Sequence, residues 1–127
     1  MGYIVQDDDY SCGPTAIINA LKWAGVSVSK EDLDLFRFGC RTIDPEFPKE
    51  WELNGTTDSD LDRVLRYTGK GTFKVKRTRR PTFPMLQKHL KKGGALILSY
   101  FWKEGSKSGH HFVFIEEIKN GRFIVIN

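Results

Sequence analysis

Cys12 stands directly before Gly13 and Pro14, at the head of a segment with helical apolar spacing, in a chain that has only two cysteines. A thiol at a helix amino terminus feels the positive end of the macrodipole and unpaired backbone N–H groups, and both favour the thiolate. A thiolate nucleophile needs a base. Of the three histidines, His89 lies in "QKHLKK", inside a helical pattern, and reads as a surface residue. His110 and His111 are adjacent, and the spacing places them at the start of a strand after the run "KEGSKSG". Strand alternation sends their side chains to opposite faces, so only one of the two can address a given site.

Other clusters carry less. The three consecutive carboxylates Asp7, Asp8 and Asp9 cannot converge on one ion and read as a solvated loop. Asp58, Asp60 and Asp62 imitate the start of a calcium loop, but Arg63 and Gly69 occupy the positions where that motif needs Gly and Glu. Cys12 and Cys40 lack the C-x-x-C spacing of a zinc site. "GKGT" at 69–72 lacks the full phosphate-loop pattern. No metal and no cofactor is expected.

The elements that must hold the thiol and the histidine follow from periodicity and caps. A helix is expected over 12–24, with Pro14 in its first turn, an apolar stripe of Ile17, Ala20, Leu21 and Ala24, and Gly25 at its end. Ser29 with Asp32 begins a short helix to about Phe38. Residues 39–57 read as a loop, the length of which suits a cleft wall or lid. A helix from Asp58 to Tyr67 is closed by Gly69. "TFKVKR" alternates as a strand does, and "PTFPMLQKHLKKGG" is a helix stopped by glycines. "ALILSYF", "HFVFIEEI" and "RFIVI" are strands, the last two joined by a type I′ turn at Asn120-Gly121. Helices first and antiparallel strands last make an α+β fold in one domain, 1–127.

The chain is 39% hydrophobic and 28% charged, which describes a globular protein rather than a disordered one. No apolar run approaches the roughly 20 residues of a membrane span, and the first residues lack the pattern of a signal peptide. Two cysteines without an export signal read as reduced thiols, which places the protein in the cytoplasm. The net charge is +4, and basic residues gather in "KVKRTRR" and "KHLKK". With no nucleic-acid motif beside them, these read as a guarded strand edge and a helix carboxyl terminus, so no nucleic-acid partner is expected.

Gln6, the "CGP" at 12–14, "HFVFI" from His111 and "GRFIVIN" ending at Asn127 occur in an order that resembles the C39 group of papain-like cysteine peptidases, the bacteriocin-processing type. The resemblance implies a papain-like fold, with amino-terminal helices packed on a carboxyl-terminal antiparallel sheet. It also implies four roles. Cys12 attacks a carbonyl carbon as thiolate, and His111 holds it as an ion pair and protonates the leaving amine. Asn127 orients the imidazole, and Gln6 donates to the developing oxyanion beside the Cys12 N–H. The family's third residue is usually Asp followed by Pro, where this sequence has Asn127. The implied function is a cysteine peptidase acting on a protein or peptide, with no cofactor. The same apparatus serves a protein glutamine deamidase or an acyltransferase, and an idle relative would bind peptides without cutting them.

Overall fold

A computed structural model describes Tyr3, residues 12–28 and residues 56–126. Gln6, Cys40, Asn127, the expected helix over 29–38 and residues 39–55 of the expected loop lie outside the described residues. Among the described residues, three helices and three strands follow in chain order: α1 Cys12–Trp23, α2 Asp58–Thr68, α3 Phe83–Lys91, β1 Leu96–Glu104, β2 Lys107–Lys119 and β3 Arg122–Ile126. The strands form one antiparallel sheet in the order β1-β2-β3. The architecture is α+β.

Residues 12–21 of α1 carry no charged side chain, and all of them are buried. A helix that can be covered on every side becomes the centre of a domain rather than a surface element. Its end is explicit. Gly25 takes φ +83°, Gly25 N–H donates to Lys22 O at 3.0 Å, and Val26 N–H donates to Leu21 O at 2.9 Å, which is the Schellman pattern. Thr57 caps α2 by accepting from Asp60 N–H at 3.1 Å, and Thr82 caps α3 by accepting from Met85 N–H at 3.4 Å.

The core joins α1, α2 and one face of the sheet. Cys12, Ala16, Ile17, Ala20 and Leu21 pack with Leu61, Val64 and Leu65 of α2 and with Phe112 and Phe114 of β2. Tyr3 lies against Phe114 with ring centroids 5.2 Å apart, and its hydroxyl donates to the Glu116 carboxylate. Tyr3 is thereby tied to the central strand.

Two expectations are corrected. Residues 73–78 form no strand, although the alternation in "TFKVKR" does turn Phe73 and Val75 onto the core. The run "KEGSKSG" does not merely precede the strand of the histidines. It is the end of β1, a two-residue turn at Gly105-Ser106 with Glu104 paired to Lys107, and the first residues of β2. The paired histidines therefore sit within a strand. Asn120 and Gly121 take φ +54° and +74°, the positive values that a type I′ turn requires, and Ile118 pairs with Phe123 across it.

Candidate active site

Cys12 is the first residue of α1, a free thiol, 8% exposed. The segment entering α2 packs directly against this helix end. A Cβ built on Gly13 would lie 2.4 Å from Thr56 Oγ1, so only glycine admits that approach. Thr56 is buried, and its hydroxyl has no hydrogen-bond partner among the described residues. Two residues later comes Asp58, the first residue of α2.

The register of β1 against β2 decides which histidine shares a side with Cys12. Phe112 and Phe114 point into the cluster that contains Cys12. Side chains alternate along a strand, and directly paired residues share a face. His110 is therefore on the face of Phe112 and Phe114, and its ring centroid is 5.1 Å from that of Phe112. His111 is on the other face, where Tyr100, its direct partner on β1, meets it edge to face at 5.6 Å. His110, not His111, is thus on the face of β2 that carries Phe112 and Phe114. No hydrogen bond reaches the Cys12 thiol among the described residues.

His110 has two polar neighbours that the sequence did not single out for it. Ser99 of β1 lies on the same face and hydrogen-bonds His110 Nε2. Ser99 Oγ donates to Asp58 Oδ1 at 2.8 Å, and the same carboxylate oxygen is 3.4 Å from His110 Nε2. The side chains of His110 and Asp58 are 40% and 44% exposed, so this cluster opens to solvent. Asp58 is 41 residues from Ser99 in sequence, and no local spacing could have joined them.

His89, read as a surface residue, has a structural task. Its Nε2 lies 3.0 Å from the Ala95 carbonyl, and its ring fills the space that a Cβ on Gly94 would need. It thus holds the end of α3 to the start of β1. The described part of β3 ends at Ile126, which pairs with Phe114, three residues along β2 from His111. Gln6 and Asn127, the expected oxyanion donor and orienter, lie outside the described residues.

Elsewhere, a shallow cleft of about 340 Å³ is bounded by Gln87, Leu90 and Lys91 of α3 and by Glu116 and Ile118 of β2. It lies six residues along β2 from His110. Among the described residues no group of three or more His, Cys, Asp or Glu side chains could hold a metal ion. No described helix is long and apolar enough to cross a membrane. No family model, curated protein or solved structure matches the chain.

Proposed function

We propose that the chain is a papain-like thiol hydrolase of the C39 type, a cysteine peptidase in which Cys12 is the nucleophile and His110 its base. The observation that carries this reading is the strand register, which turns His110 toward the side of the sheet packed on α1, the helix that Cys12 begins. Cys12 Sγ attacks the substrate carbonyl carbon, and its proton passes to His110 Nδ1. The same proton then goes to the leaving amine, and water releases the acyl group from the thioester. Gln6 and the Cys12 N–H serve the oxyanion, as the resemblance implies. Reacting groups often stand apart until substrate draws them together, which accommodates a thiol that no described residue hydrogen-bonds.

The test is mass spectrometry of a peptide library incubated with the protein. Cut backbones that vanish with Cys12→Ala support a peptidase. A one-dalton gain on glutamine would assign the same site to deamidation, and an acyl adduct to transfer. Equal and slow alkylation of Cys12 and Cys40 by iodoacetamide, with no product of any kind, would favour a binding domain and overturn the reading.

A further inference from the structure

We propose that Asp58, at the start of α2, is the positioning residue for His110, acting directly and through Ser99. The assignment rests on Cys12 and His110 being the reacting pair.

Proton counting gives the direction of the cluster. A carboxylate only accepts, and a serine hydroxyl has a single proton. Ser99 directs that proton to Asp58 Oδ1 at 2.8 Å. The Ser99 oxygen is then left as an acceptor, so the hydrogen on its contact with His110 belongs to Nε2. The chain runs His110 Nε2–H to Ser99 Oγ–H to Asp58 Oδ1, with Oδ1 also 3.4 Å from Nε2. Nε2 is thereby protonated, and Nδ1 keeps the lone pair that a thiol proton requires. When Nδ1 takes that proton, the Asp58 charge stands beside the imidazolium.

The same geometry rules out a serine nucleophile. In a serine triad the hydroxyl and the carboxylate occupy opposite ring nitrogens, and the hydroxyl proton points at the ring. Here both partners meet Nε2, and the Ser99 proton points away from it. Asp58 is also mechanically keyed to the nucleophile. Thr56, two residues earlier, is pressed against Gly13, and Thr57 caps the helix that Asp58 begins. The segment that carries Asp58 is therefore packed against the helix end that bears the thiol.

The bland role for Asp58 is to complement the dipole of α2, where an acidic first turn is favourable. Asp58→Asn separates the two roles. It removes the charge but keeps an oxygen that accepts from Ser99, whereas Asp58→Ala removes both. The experiment compares wild type with these two variants and with His110→Ala, all carrying Cys40→Ser so that one thiol reports. It reads turnover, the rate of Cys12 alkylation by iodoacetamide, and the imidazole tautomer from long-range proton–nitrogen spectra. Wild type should show the Nε2–H tautomer for His110. Asp58→Ala should lose that preference and slow turnover by about 10²-fold, below the roughly 10⁴-fold cost of losing a triad carboxylate because this pair is half exposed. Asp58→Asn should recover part of both, while melting as Asp58→Ala does. An Nδ1–H tautomer in wild type overturns the assignment whatever the variants do. So does a loss of activity in His110→Ala that neither Asp58 variant shares, and that result leaves the Cys12–His110 reading intact. A silent His110→Ala overturns both.

Discussion

Thr56 Oγ1 stands 2.4 Å from the position a Cβ would take on Gly13, one residue past the thiol. No other side chain fits at 13 without moving the strand-like entry to α2, and with it Asp58. Gly13→Ala should therefore lower stability by about 1–3 kcal/mol, the usual cost of overpacking, and lower turnover as well. Adding Thr56→Gly should recover much of the stability, because the clash is with that side chain, its Cβ included. Denaturant melts of the single and double variants test this, and additive losses would show that the contact is not the cause.

The Thr56 hydroxyl is buried without a partner among the described residues, which is a cost the fold carries rather than a contribution. Thr56→Val keeps the shape and removes the unsatisfied group. It should be neutral or stabilising by up to about 1 kcal/mol. A clear loss of stability would mean that the hydroxyl is engaged in solution.

His110→Ala should abolish turnover and the rapid alkylation of Cys12. His111→Ala removes the edge-to-face contact with Tyr100, worth about 0.5–1.5 kcal/mol, and should leave the thiol reactive. Alkylation rates measured beside melting curves separate the two effects. The reverse pattern would restore His111 to the catalytic role.

Tyr3 gives a pH dependence. Burial pushes its phenol well above the ordinary value near 10, and the hydrogen bond to Glu116 and that carboxylate's charge push it the same way. The folded state thus holds the phenol proton more tightly than the unfolded chain does. This stabilisation is fully present below pH 10 and declines as pH rises above it. Urea melts across pH 8 to 11 should show wild type losing more stability than Tyr3→Phe, which has no phenol to titrate. Parallel curves would mean that the contact with Glu116 does not persist in solution.

Much of this architecture is legible in the sequence because it rests on local chemistry. Gly25 and the Gly93-Gly94 pair end helices in left-handed or close-packed turns, and Asn120-Gly121 makes the one turn that suits a two-residue hairpin. The parts that are not legible depend on pairing. "KSGHH" has no apolar alternation, and it becomes strand because β1 supplies a partner for it. "TFKVKR" has the alternation, but its backbone finds no strand to join among the described residues. The side of each histidine was hidden for another reason. Phe112, Val113, Phe114 and Ile115 are all buried, so the strand is apolar on both faces and its pattern does not say which face meets α1. Asp58 and Ser99 could be joined to His110 only by the fold.

Because His110 and His111 are chemically identical neighbours, the molecule distinguishes them by parity alone. A residue two places before Phe112 lies on the side of the thiol, and a residue one place before it does not. Deleting His110 and deleting His111 yield the same sequence, in which a single histidine still precedes "FVFI". The "HFVFI" motif survives that deletion intact. With Phe112 and Phe114 anchored in the core, the remaining imidazole faces away from Cys12, Ser99 and Asp58. The chemistry of this strand is thus written in counting, and a shortened chain would keep every letter of the motif while turning its base to the wrong side of the sheet.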